Sequence, residues 1–185
     1  SNLVKYLVEE GAQITVADID NARVKKICDQ FGAKPVSVEE ILGIDCDIQA
    51  PCAMGAIVND QTITKFKCKV IAGGANNQLA EARHGDQLRE LGILYAPDYV
   101  VNAGGLMNVF VELEGYSPER AFEKTRKVYD NVKKVFEISK RDNIGTHTAA
   151  DRVAEERIQT IGRLKQRHPG KSDRAFTTLR EVYNR

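Results

Sequence analysis

The chain's 185 residues suffice for one good core and an appended subdomain, and its 42% apolar and 29% charged shares are those of an ordinary folded domain. Twenty-seven basic residues nearly cancel 26 acidic ones, leaving a formal charge of +1, so no basic field points to nucleic acid or an anionic membrane surface. No apolar run approaches the ~18 residues of a membrane-spanning helix. Cys28, Cys46, Cys52 and Cys68 form no CxxC pair or zinc pattern and read as free thiols, which points to a reducing, cytoplasmic setting.

The first segment, SNLVKYLVEEGAQITVADID, sets the theme. Leu3, Val4, Leu7 and Val8 make one apolar helical stripe, Gly11 stops the helix, and Ile14–Ile19 run as a strand ending in Asp18 and Asp20. That is the helix, second strand and acidic tip of a dinucleotide-binding unit, without the strand and glycine-rich loop that should precede them. Val24, Ile27, Cys28 and Phe31 then repeat at helical spacing before Gly32, and a short strand follows at Lys34–Val36. Ser37 and Glu40 make a capping box ahead of Ile41–Leu42. Cys46–Pro51 reads as a strand ending at a loop, and Lys69–Asn77 as a buried strand running into a glycine turn. Asp86 is placed to cap a helix through Leu91, and Ile93–Val100 gives a further strand and loop.

The periodicity then changes. Ser117 caps and Pro118 opens a long helix with Val128, Val132, Val135 and Phe136 on one stripe, and a second helix spans Thr148 to Leu164. Strands separated by helices argue a parallel sheet covered on both faces. The expected fold is therefore α/β: a Rossmann-type, doubly wound, mostly parallel sheet that lacks its first strand in this chain, with a C-terminal helical appendage. Residues 1–115 form the dinucleotide-binding domain, residues 116–167 the appended helices, and residues 168–185 a polar, less ordered tail. In the doubly wound order the first strand lies between the second and fourth, so its absence leaves two unpaired edges. The natural chain is thus expected to extend upstream of Ser1.

Four places carry candidate chemistry. A carboxylate at Asp18 can accept both adenosine ribose hydroxyls and would repel a 2′-phosphate, favouring NAD over NADP; a turn or capping role is the alternative, with Asp20 a rival for it. APCAMGA (Ala50–Ala56) follows a strand at the edge where such sheets bind ligands, and its small residues let a flat nucleotide approach the backbone. GGANN (Gly73–Asn77) combines glycines that permit close approach with two amides, which donate and accept without adding charge. An asparagine turn capping a helix is the plainer reading of it. In NAGGLMNV, Leu106 and Val109 share a helical face, as pocket or as core, and Asn102 can serve as a cap. His84, in RHGD, is expected to shape a turn rather than to act as acid or base.

Taken together, DCDIQAPCAMGAIVND, VIAGGANNQL, RHGD, YAPDYVVNAGGLMNV and AADRVAEERI resemble the nucleotide-binding half of the leucine/phenylalanine/valine dehydrogenases, relatives of glutamate dehydrogenase. The resemblance covers roughly residues 3 to 160, and the leucine-acting members are nearest. It implies NAD-dependent oxidative deamination of an amino acid to its 2-oxo acid and ammonia, through an imine that water attacks. It further implies that Asp18, Cys52, Ala53 and Asn76 bind the cofactor. Asn77, Leu106 and Val109 would bind the substrate. Aliphatic Leu106 and Val109 fit a branched-chain, leucine-like side chain. The general base and the proton-transferring carboxylate belong, in the family, to an upstream catalytic domain of the same protein, so no catalytic residue is assigned in this chain. Cleft closure, a cytoplasmic location and a homo-oligomer are implied as well, with no metal.

Overall fold

The computed structural model describes residues 2–113 and 115–167, and the expected tail lies outside the described residues. Helix α1 (Asn2–Glu9) leads into strand β1 (Thr15–Val16), which takes up only two residues in the first half of the strand expected there. Helix α2 (Asn21–Phe31) starts where the Asp20 carboxylate accepts the N–H groups of Ala22 and Arg23, and ends at Gly32 with φ +68°. Only glycine takes that left-handed turn without strain. Strand β2 (Lys34–Pro35) pairs in parallel with β1. The Ser37–Glu40 box forms reciprocally, each main-chain N–H donating to the other's side chain at 3.2 Å, and leads into a short 3-10 turn at Ile41–Gly43.

Strands β3 (Asp45–Gln49), β4 (Lys67–Ile71) and β5 (Leu94–Tyr95) make a second parallel ladder in the order β3-β4-β5. Helix α3 (Arg83–Glu90) provides the crossover from β4 to β5. Asp86 does not cap it. Its first turn closes earlier because His84 Nδ1 accepts the Glu81 N–H at 3.0 Å, leaving Asp86 inside the helix. The segment after β5 is also more helical than expected: Pro97 fixes the entry and α4 (Asp98–Val101) follows at once. Helix α5 (Gly104–Leu113) comes next. Helix α6 (Pro118–Asp142) begins with Ser117 accepting the Arg120 N–H, and α7 (Thr146–Arg167) completes the described chain.

Val58, Phe66, Ile71, Leu88, Ile93 and Tyr95 are buried between the second ladder and its covering elements. Fully burying an aliphatic side chain of this size contributes roughly 1.5–3 kcal/mol. A second cluster joins α6 and α7 through Val135, Ile138, Ala149 and Ala150, with Val100 packed against it. Among the described residues the two ladders do not pair with each other. Between them lies a cleft of about 260 Å³ lined by Val16, Ala17, Cys46 and Ile48, with Leu3 and Leu7 of α1 alongside. No helix among the described residues is long and apolar enough to cross a membrane.

Candidate functional site

In a parallel ladder every strand's carboxyl end faces the same way, so the loops after β3, β4 and β5 meet at one edge. Gly73 has no room for a side chain against the Pro51 main chain, and the Ala75 N–H donates to Pro51 O at 2.9 Å. A Cβ on Gly55 would lie 2.7 Å from Asn76 O, and the Ala56 N–H reaches Asn77 O at 2.6 Å. The small residues of both motifs therefore serve first to bring two loops into backbone contact. Gln78, fully buried, supports the turn from below by donating to Gly73 O and Ala75 O at 2.7 and 3.0 Å.

The next strand grips the same turn. From α4, the Asp98 carboxylate accepts the Asn77 main-chain N–H at 2.7 Å. At the end of that helix, Asn102 Nδ2 donates to Asn76 Oδ1 at 2.6 Å. Asp98 is buried and also accepts from the Tyr95 hydroxyl at 2.8 Å. Burial, then the neighbouring carboxylate, pushes the Tyr95 phenol far above its usual range, so it remains a donor. Asn77 holds φ +53°, uncommon for a residue with a side chain. Neither asparagine caps a helix, since α3 starts only at Arg83, and both side chains are exposed at the edge.

Asp18 and Cys52 line a shared cleft of about 500 Å³ with Val16, Ala17, Arg23 and Val24. Asp18 Oδ1 accepts the Asp20 N–H at 2.9 Å, while Asp20 performs the capping, so the two carboxylates have separate roles. Cys52 is exposed and its sulfur borders Gly74; Ala53, also exposed, follows on the same loop. Leu106 and Val109 lie on α5, 74% and 52% exposed, so they are not core residues. Asn102, bound to Asn76, ties the start of that segment to the asparagine turn.

His84 is 1% exposed, with Nδ1 taken by Glu81 and Nε2 3.2 Å from Asp60 Oδ1. Arg83 grips Asp60 through two bonds of 2.8 and 2.6 Å and also binds Glu81. That guanidinium, with His84 second, holds the Asp60 carboxyl down at about 2. Asp60, Glu81 and His84 lie close enough for a metal, but the Arg83 guanidinium already pairs with both carboxylates. The sequence reading missed Asp98 and Tyr95. Ile93–Val100 reads as a strand and loop, and nothing local shows that the Asp98 carboxylate reaches Asn77.

Residues 4–164 match the family model described as Glutamate/Leucine/Phenylalanine/Valine dehydrogenase. The leucine dehydrogenase of Geobacillus stearothermophilus is 56% identical over 164 residues, which is 89% of this chain and 45% of that protein. A phenylalanine dehydrogenase of Thermoactinomyces intermedius is 46% identical over 166 residues, again 89% of this chain and 45% of the relative. The crystal structure of L-tryptophan dehydrogenase from Nostoc punctiforme superposes with a TM-score of 0.84 at 45% identity, covering 86% of this chain and 48% of that one. The chain thus spans about half the length of the relatives it matches.

Proposed function

Because this chain belongs to the glutamate/leucine/phenylalanine/valine dehydrogenase family, we propose that it is the cofactor-binding half of an NAD-dependent dehydrogenase acting on a branched-chain, leucine-like amino acid. The observation that carries the reading is the Asn76–Asn77 turn, locked from both sides at the carboxyl edge of the ladder. Nearby, a cleft pairs Asp18 with Cys52.

The donor set fits a dinucleotide. Asp18, relieved of capping by Asp20, has a carboxylate available to the adenosine ribose hydroxyls and repels a 2′-phosphate. Cys52 and Ala53 offer a low, small-residue surface for the second ribose and the nicotinamide. With its oxygen engaged by Asn102, Asn76 presents its NH₂ to the carboxamide. The chemistry that bound NAD would supply here is acceptance of the amino acid's C2 hydrogen as hydride. Asn77 holds the amino acid, and Leu106 with Val109 receive its aliphatic side chain.

The general base and the proton-transferring carboxylate come from an upstream domain of the same protein, and closure of the two halves excludes water. A strand from that part seats between β1 and β3, joining the two ladders into one doubly wound sheet. The open cleft there and the greater length of the relatives support this. α6 and α7 pack toward the hinge, and the enzyme works as a cytoplasmic homo-oligomer. Initial rates of the full-length protein with a panel of L-amino acids, and with NAD against NADP, test the proposal. Preference for leucine, isoleucine or valine with NAD is expected; strong preference for phenylalanine or for NADP would overturn it.

A further inference from the structure

The amide of Asn77 is useful to a substrate only if its backbone stays at φ +53°, and that conformation costs free energy in any residue with a Cβ. Two bonds hold its main chain. The Ala56 N–H holds the carbonyl of Asn77 at 2.6 Å, and the Asp98 carboxylate holds its N–H at 2.7 Å. Asp98 is itself fixed, since the Tyr95 hydroxyl donates to it at 2.8 Å and its own N–H reaches the Tyr95 oxygen at 3.2 Å. Asp98 is 8% exposed and Tyr95 2% exposed, so neither offers a face to a ligand. A buried carboxylate is costly to keep, and this one spends its two oxygens on one tyrosine and one main-chain amide.

We infer that Asp98 is a positioning residue for amino-acid binding, holding Asn77 in its left-handed conformation so that the side-chain amide faces the substrate, with Tyr95 orienting the carboxylate. The inference rests on the functional reading above and deepens it at one residue. The two donors reach different oxygens of Asp98, so an asparagine at position 98 keeps the shape but turns an NH₂ toward one of them. The cost should fall on the substrate that Asn77 holds and spare the coenzyme.

The test is a double-mutant cycle in the full-length enzyme, with Asp98→Asn, Asn77→Gly and the pair. Losing a charge-assisted bond predicts a rise of about tenfold or more in the KM for leucine. The KM for NAD and kcat should change by less than about threefold, a split set by positioning rather than stability. Glycine adopts φ +53° without help, so Asp98→Asn on top of Asn77→Gly should raise the amino-acid KM no further. Multiplying effects in the pair, or equal losses for both substrates, would overturn the inference. If Asp98→Asn fails to fold, Tyr95→Phe decides: a selective rise of about two- to fivefold in the leucine KM is expected, and no change overturns the inference. Wild-type enzyme that folds but turns over no amino acid would instead sink the functional reading, and the inference with it.

Discussion

Asn102 Nδ2 donates to Asn76 Oδ1 at 2.6 Å, and this bond determines which end of the Asn76 amide remains for a ligand. With its oxygen taken, Asn76 can offer only N–H groups. Asn76→Asp replaces that donor with an acceptor and should weaken NAD binding by about tenfold in the full-length enzyme. Asn102→Ala, which frees the Asn76 oxygen without removing the donor, should weaken it by less, about two- to fivefold. Calorimetric titration with NAD checks both, and equal affinity in all three proteins would remove Asn76 from the cofactor site.

The neighbouring carboxylates Asp18 and Asp20 should separate cleanly. Asp20→Ala removes two bonds to the start of α2 and should cost about 0.5–2 kcal/mol of stability with coenzyme preference unchanged. Asp18→Ser should do the reverse, raising activity with NADP relative to NAD while the melting temperature stays near that of wild type. Thermal melts and the ratio of kcat/KM for the two coenzymes read out each effect.

Leu106 is 74% exposed, so shortening it should leave stability within about 0.5 kcal/mol. Leu106→Ala should nevertheless lower kcat/KM for leucine by about tenfold or more, through lost contact with the aliphatic side chain. Leu88→Ala provides the contrast. Its side chain is fully buried in the core beneath the second ladder, and its loss should cost about 2–5 kcal/mol in denaturant unfolding.

Asp60 gives a pH signature. Its folded-state pKa, about 2, lies below the ordinary carboxyl value, chiefly because Arg83 donates to it. A carboxyl with a depressed folded pKa stabilises above its unfolded pKa. The Arg83–Asp60 contribution is therefore present at neutral pH and disappears as the pH falls from about 4 toward about 2. In NMR titration the Asp60 carboxyl should have its midpoint near 2, and Arg83→Gln should move it upward. A wild-type midpoint in the ordinary carboxyl range would show that the pair does not form in solution.

What the sequence made legible was local or periodic. Gly32 ends α2, Ser117 and Pro118 open α6, and Ser37 with Glu40 form their box, because each depends only on neighbours a few residues away. The rivalry between Asp18 and Asp20 was visible too, and the main-chain N–H groups of Ala22 and Arg23 resolve it in favour of Asp20 as cap. Long-range matters were hidden. Periodicity does not say which strands pair, so one sheet was expected where the described residues make two ladders. Asp86 fitted the capping rule, but the buried ring of His84, held by Asp60 from 24 positions away, closes the turn first. Asp98 sits 21 positions beyond Asn77, and only the parallel register that brings β5 beside β4 joins them.

The most direct test of the central claim is stoichiometry: ammonia released against NADH formed when the full-length protein is given L-leucine and NAD. Oxidative deamination predicts one ammonia for each NADH, with the 2-oxo acid as the other product. NADH formed without ammonia, or neither product from well-folded protein with any amino acid, would contradict the account.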